Sequence, residues 1–227
     1  MDSWEFWQRV LVLLGPLLGF FSGWGLFELT ERRKVRLAEH ALRNALLAEL
    51  RHTEVLLSTI VGKYCFTANN PTDIAIFAAE IRWFVNVGKQ RALRVGLALQ
   101  EPPEGTVGQF NDLSDETLVA LFGKGRQETI GASLILPVID SVLAGRTSGF
   151  SDLEIEALST VRWQAHLLEQ DAEWTKEFLR LSFTVTDPTN HDIVSKNHGA
   201  RVYSYSRRAI TLLKCVRSAL TTLGATP

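Results

Sequence analysis

The stretch SGFSDLE (residues 148–154) contains the strongest helix-start signal in the chain. Ser151 is followed three positions later by Glu154, the spacing of a capping box, in which each side chain bonds the backbone N–H of the other residue. Phe150 stands where a hydrophobic staple packs against the first turn. Apolar residues then recur at Leu158, Val161, Trp163, Leu167, Leu168, Trp174, Phe178 and Leu181. The pattern predicts a long helix through these positions.

A second long helix is predicted at the C-terminal end of the sequence. The segment TDPTNHD (186–192) interrupts the first one, because proline and the Asp/Asn/Thr cluster favour a loop with turn and capping residues. We therefore expect the last helix to run from about Ala200 to Leu223. Its inward positions are Val202, Tyr205, Ala209, Leu212, Val216 and Leu220.

Upstream of these two helices, segments that contain proline or glycine separate several shorter predicted helices. In TANNPTD (67–73), Asn70 or Thr72 can cap the next helix and Pro71 suits its first turn. The segment EPPEGTVG (101–108) is the clearest linker, because two prolines and two glycines do not continue a helix. Further helices are predicted at 115–122 and 128–143, with a kink at Pro137 in the second.

The N-terminal part completes an all-α fold. No proline or glycine occurs between Glu28 and Val61, and a stripe recurs at Leu42, Leu46, Leu50, Thr53, Leu57 and Ile60. Strand-like alternation is limited to LSFTVT (181–186). We predict a single transmembrane helix that continues into a stalk helix, followed by a cytoplasmic bundle of about four to five helices. The predicted divisions are 1–27 (tail and transmembrane helix), 28–62 (basic segment and stalk) and 63–227 (bundle).

The predicted transmembrane span includes LLGPLLGFFSGWG (13–25), and no charged residue occurs from Val10 to Phe27. Trp7 and Trp24 would lie about 25 Å apart along a helix, near the thickness of the bilayer's hydrocarbon core. Trp4, Trp7 and Trp24 are therefore the expected interface anchors. A signal peptide fits less well, since Asp2 and Glu5 precede the apolar run.

Basic residues on one side of the span predict its orientation. Arg32, Arg33, Lys34 and Arg36 follow it, whereas Arg9 is the only base before it. Lys and Arg resist translocation, so the N-terminus should face out and the C-terminal domain should lie in the cytoplasm, as in a bacterial inner membrane. The four bases are also expected to contact anionic lipid. The chain has a net charge of -1, which gives no indication of general nucleic-acid binding.

Small residues within the span predict association of transmembrane helices. Gly15, Gly19 and Gly23 share one helix face at intervals of four, with Ser22 beside them. Glycine at this spacing lets two helix backbones approach closely in lipid, as in a glycine zipper. We expect this face to mediate a homo-oligomer or to contact a partner membrane subunit.

The residues give little indication of catalysis, and no catalytic, metal or cofactor site is predicted. His191, Asp192 and His198 form the densest polar cluster, but helical phosphohydrolases of the HD type also need a later aspartate. No acid follows Asp192. Glu49-x-x-His52 has the spacing of di-iron bundles but occurs only once. Cys65 and Cys215 have no C-x-x-C partner and are interpreted as buried thiols.

A basic face is predicted on the last helix. Arg201, Arg207, Arg208, Lys214 and Arg217 follow one another with no intervening acid, which suits an anionic ligand, an acidic partner or lipid headgroups. Alternatively, these bases pair with acids of the preceding helix, namely Glu154, Glu156, Glu169, Asp171, Glu173 and Glu177.

Three functions remain open from the sequence. The first is a membrane-anchored binding, sensing or scaffold protein that acts through oligomerisation and partner contact. The second is a membrane-disrupting effector of a bacterial antiviral or stress system, gated by the cytoplasmic bundle. The third is a helical enzyme with an unrecognised site near His191, Asp192 and His198.

Overall fold

A computed structural model shows seven α-helices in the part of the chain that it describes, with no strand among those residues. It describes the backbone of residues 3–88, 107–123, 134–145 and 149–224, and side chains there from residue 23 onward, apart from 88, 107–109 and 123. The helices are α1 (Ser3–Lys63), α2 (Pro71–Trp83), α3 (Val107–Asp112), α4 (Asp115–Gly123), α5 (Pro137–Ala144), α6 (Asp152–Thr184) and α7 (Pro188–Thr222). A 3₁₀ turn (Cys65–Thr67) and a π-helical turn (Phe84–Gly88) flank α2. The all-α prediction is confirmed.

The chain forms two compact units, Met1–Ala45 and Leu46–Pro227, and α1 contributes residues to both. In the first unit, α1 carries local ion pairs, with Arg32 bonded to Glu28 and Lys34 to Glu31, both at 2.8 Å. In the second unit, α1 turns a buried face to the other helices from Leu46 onward. The predicted stripe is confirmed there, since Leu46, Leu50, Thr53, Leu57 and Ile60 are all buried.

The helices α6 and α7 form the main hairpin of the second unit. The capping box at the start of α6 is present as predicted, with the Ser151 N–H donating to the Glu154 carboxylate at 2.8 Å. Only residues 185–187 join the two helices, which makes them antiparallel neighbours. All six predicted inward positions of α7 are buried.

The helix α7 starts earlier than predicted. It begins at Pro188, so His191, Asp192 and His198 lie on the helix and not in a loop. Asp187 caps it by accepting the Asn190 N–H at 2.9 Å, and proline is well suited to the first helical position. The strand-like LSFTVT segment is also helical through Thr184, and the Val185 N–H still donates to the Leu181 carbonyl at 3.0 Å.

Pro137 begins a helix and does not kink one, contrary to our prediction. Leu136, which precedes it, has non-helical angles (φ -120°, ψ 60°), as the proline ring requires. Glu49 of α1 supplies the cap, since its two carboxylate oxygens accept the backbone N–H groups of Val138 and Ile139, both at 2.9 Å. Glu49, the glutamate of the Glu49-x-x-His52 motif, therefore acts as a helix cap. Residues 128–133 of the predicted helix lie outside the described residues.

Shorter helices are attached to this frame by specific contacts. The helix α2 begins at Pro71 as expected, with Asn70 accepting the Asp73 N–H at 2.9 Å. Arg82 of α2 pairs with Asp115 of α4 at 2.6 Å. In the linker, residues 101–106 lie outside the described residues, while Val107 and Gly108 belong to α3.

Among the residues whose side chains are described, no helix includes a segment long and apolar enough to cross a membrane. The predicted span, from Val10 to Phe27, lies mostly outside those residues, since side chains are described only from Gly23.

Tyr205, a buried residue of α7, provides a test of the core. Its ring meets that of Tyr64 edge-on at 5.4 Å, and burial, with a smaller effect of Tyr64, raises the pKa of its phenol. An unfolded tyrosine ionises near pH 10, so above that pH the unfolded state loses a proton that the folded state keeps. The stabilisation is present below pH 10 and is lost as the pH rises.

Above pH 10, we expect the free energy of unfolding to fall more steeply with pH in the wild type than in Tyr205→Phe. The difference between the two slopes should reach up to about 1.4 kcal/mol per pH unit. Urea unfolding of the full chain in detergent at pH 8 to 11.5 measures this difference. Parallel pH dependences for the two proteins would show that Tyr205 ionises equally in both states.

Candidate functional site

The segment RVYSYSRR (201–208) of α7 directs its charged side chains to three different neighbours. Arg207 pairs with Asp73 of α2 at 2.5 Å, and Arg208 pairs with Asp171 of α6 at 2.7 Å. Arg201 lies over the rings of Trp174 and Phe178, with its Cζ atom 5.6 and 5.8 Å from their centroids. These contacts fix α7 against both α6 and α2.

Asp73 is the centre of the contact between α2 and α7. Its carboxylate is almost fully buried and accepts hydrogen bonds from Asn70 at 2.9 Å and from the Tyr203 hydroxyl at 3.1 Å, besides Arg207. A buried carboxylate requires such partners, because an unpaired charge is costly to remove from water. This aspartate is therefore a structural anchor.

Arg217 joins three helices through a second buried cluster. Its guanidinium bonds Glu54 of α1 at 3.0 Å and Glu80 of α2 at 2.8 Å. It also lies over the indole of Trp83, 4.3 Å from the ring centroid. The side chain of Glu54 is 4% exposed and that of Arg217 is 29% exposed, so the carboxylate is shielded from solvent and its cation is half-buried. Two polar atoms of this cluster make no hydrogen bond to any of the described residues. They are the second carboxylate oxygen of Glu80 and one terminal nitrogen of Arg217.

The predicted basic face is thus divided between the core and the surface. Arg207, Arg208 and Arg217 hold carboxylates, whereas Lys214 and Arg201 are exposed. Among the acids expected on the preceding helix, Asp171 is a partner of Arg208. The remaining partners of these arginines, Asp73, Glu54 and Glu80, come from α1 and α2.

Glu54 and Glu80 were not predicted from the sequence as partners of Arg217, although both acids lie at positions that the helical pattern marks as buried. Glu54 lies within the buried stripe of α1, next to Thr53 and three residues before Leu57. Glu80 lies between Phe77 and Ile81 on the buried face of α2. An acid on an apolar face predicts a buried cation partner, but it does not say which one.

The polar residues considered for catalysis do not converge. His191 and Asp192 are exposed on α7, and His198 is half-buried about two turns further along the same helix. No group of three or more His, Cys, Asp or Glu side chains in the described part of the chain could hold a metal. Cys65 is buried with its thiol directed to the Val119 carbonyl at 3.6 Å, whereas Cys215 is half-buried and burial raises the pKa of its thiol.

The predicted membrane-contacting residues are described only in part. Trp4, Trp7, Gly15, Gly19 and Ser22 lie outside the residues with described side chains. Trp24 is exposed, and a Cβ atom added at Gly23 would meet no other atom within 4 Å. In the basic segment, Arg33 and Arg36 are exposed alongside the locally paired Arg32 and Lys34.

An exposed surface on α6 was not anticipated. We call it the outer face of α6 and define it by Trp163, His166, Glu169, Gln170, Glu173, Trp174 and Glu177. The two tryptophans are 59% and 54% exposed, although the sequence grouped them with the apolar positions of this helix. Their spacing was informative, since both lie off the three-and-four stripe of Leu158, Val161, Ala165, Leu168 and Ala172 that is buried.

Polar contacts order this outer face. The side chains of His166 and Gln170 are hydrogen-bonded at 3.1 Å, and the Trp163 ring lies 6.1 Å from that of His166. Glu173 pairs with Lys176 and Glu177 with Arg180, each at 2.7 Å. The hydrogen bond from Arg180 lowers the pKa of Glu177, so this carboxylate is ionised at neutral pH.

Comparison with known proteins adds no relative from which a function could be transferred. The chain matches no family model, and neither a curated protein nor a solved structure is significantly similar to it.

The Arg217 cluster gives a direct test of the packing. Arg217→Met leaves Glu54 and Glu80 buried without their cation, and we expect a loss of about 3–5 kcal/mol in the free energy of unfolding. Lys214→Met, on an exposed side chain of the same helix, should change it by less than about 0.5 kcal/mol. Urea unfolding monitored by circular dichroism measures both.

A further variant separates charge from shape in this cluster. This triple variant combines Arg217→Met with Glu54→Gln and Glu80→Gln, which removes the two uncompensated charges. It should recover a large part of the free energy of unfolding that Arg217→Met loses. If Arg217→Met were as stable as Lys214→Met, the cluster would not hold the three helices together.

Proposed function

We propose that this chain is a single-pass membrane-anchored binding protein whose helical bundle lies in the cytoplasm. The uncharged segment from Val10 to Phe27, its flanking tryptophans and the basic residues after it support the anchor. The backbone is helical from Ser3 to Lys63, and a helix is the form in which a single segment satisfies its backbone groups in lipid.

A binding role is favoured over catalysis by the use of the charged side chains. Three arginines of α7 (Arg207, Arg208 and Arg217) are engaged in ion pairs that hold helices together. Their partners are Asp73, Asp171, Glu54 and Glu80. By contrast, two tryptophans remain exposed on the outer face of α6. Exposed indoles are typical of protein contact surfaces, and this observation carries the proposal.

Self-association through the anchor is the second element of the proposal. At Gly23 and Gly25, nothing in the described part of the chain requires a glycine, because an added Cβ meets none of its atoms within 4 Å. Gly15, Gly19 and Gly23 lie on one face, which suits close contact with another transmembrane helix.

Membrane association is tested by placing charge in the span. Leu17→Arg/Leu18→Arg should move most of the protein out of the carbonate-resistant membrane fraction, because each arginine in mid-bilayer costs about 2.5–3.5 kcal/mol. Leu37→Arg, at an exposed position beyond the basic segment, should leave the distribution unchanged. A C-terminal fluorescent-protein fusion that folds only in the cytoplasm should be bright in a bacterial host. A wild-type chain found wholly in the soluble fraction would contradict the anchor.

Oligomerisation through the glycine face is tested by crosslinking in native membranes. Gly19→Ile should abolish crosslinked dimers or higher forms, since a branched side chain separates the two backbones. Gly25→Ile, on a different face of the same helix, is the matched control and should retain them. Equal crosslinking of both variants would remove the glycine face from the proposal.

A further inference from the structure

The two exposed tryptophans of the outer face of α6 lie on one side of the helix. Trp163 and Trp174 are eleven residues apart, which is about three turns and about 16.5 Å along the axis. Each of these residues is more than half exposed to solvent. Large aromatic side chains at this exposure are the residues that most often anchor a protein–protein contact.

A row of carboxylates runs beside these indoles. Glu169, Glu173 and Glu177 follow one another at intervals of four, so each lies about 6 Å from the next along the helix surface. Lys176 and Arg180 pair with the second and third carboxylates through exposed contacts, which contribute little to stability. The side chains of Glu173 and Glu177 remain 73% and 47% exposed. Three glutamates against two bases leave one net negative charge beside the aromatic surface.

This combination suits cationic side chains. Carboxylates form charge-assisted hydrogen bonds with guanidinium and ammonium groups, and indole rings attract the same groups through their negative faces. Trp174 already interacts in this way within the chain, since Arg201 lies 5.6 Å from its ring centroid.

The spacing also indicates the form of the ligand. A second helix lying alongside α6 would present cations at intervals of four residues to the glutamate row, and apolar residues eleven positions apart would reach the two indoles. We propose that the outer face of α6 binds a basic amphipathic helix of a partner protein. This inference rests on the binding function proposed above and specifies its partner class.

The test measures peptide binding to the full chain in nanodiscs of zwitterionic lipid. The probe is a fluorescein-labelled 22-residue peptide with leucine and lysine at helical spacing, and fluorescence anisotropy gives its affinity, with binding to empty nanodiscs subtracted. Trp163→Ala and Trp174→Ala should each weaken binding about tenfold or more. Glu169→Gln/Glu173→Gln/Glu177→Gln should weaken binding and remove most of its salt dependence.

Matched controls fix the location of the site. Phe183→Ala removes an exposed aromatic residue of the same helix outside this face and should leave the affinity unchanged. Glu116→Gln removes an exposed acid of α4 and should also leave it unchanged. A peptide of the same composition without helical periodicity should bind at least tenfold more weakly. Circular dichroism verifies that each variant is folded.

Several results would overturn the inference. Equal binding by the wild type and the tryptophan variants would place the site elsewhere, and equal binding to empty nanodiscs would reduce the signal to lipid adsorption. Sedimentation showing that the same tryptophan variants abolish self-association would assign this face to a second copy of the chain. Because membrane fractionation does not depend on this face, failure of peptide binding is distinguishable from failure of the proposed anchor.

Discussion

Arg217 holds three regions of the second unit in one arrangement. It bonds Glu54 of α1 and Glu80 of α2 while its guanidinium covers Trp83, so the first, second and last helices of this unit depend on one side chain. Two acids for one base leave a net negative charge at the cluster, and a buried pair of this kind gives only a small net stabilisation over apolar packing. Its main effect is on specificity, because an arrangement that separates the three residues leaves a charge buried without a partner.

The charged residues of the second unit fall into two groups with different consequences. Asp73 and Asp171 are buried and pair with half-exposed arginines of α7, which fixes the position of this helix. Glu173 and Glu177 form ion pairs within α6 at its surface, where solvent screens them. The first group explains how the helices are held together, and the second leaves a charged surface available to other molecules.

Local signals predicted much of the fold, and long-range contacts account for what they missed. The capping box at Ser151, the cap at Asn70 and the buried stripe of α1 depend on residues within a few positions, so the pattern alone revealed them. The start of α5 at Pro137 also depends on Glu49, 89 residues before Val138, which no local pattern shows. The candidate surface was not predicted for a different reason, because tryptophan is apolar by type and only its position relative to the buried stripe distinguishes an exposed Trp163 or Trp174 from a core residue.

The large sequence separations in the Arg217 cluster bear on how the chain is made. Glu54 and Glu80 leave the ribosome early, and their cation follows 163 and 137 residues later, respectively. Until α7 is synthesised, the faces of α1 and α2 that carry these acids have no arginine to neutralise them, and water must solvate the carboxylates. Closure of this part of the core is therefore a late event in biosynthesis. During this interval the nascent chain exposes apolar surface next to unpaired acids, a state in which chaperone binding would guard against aggregation.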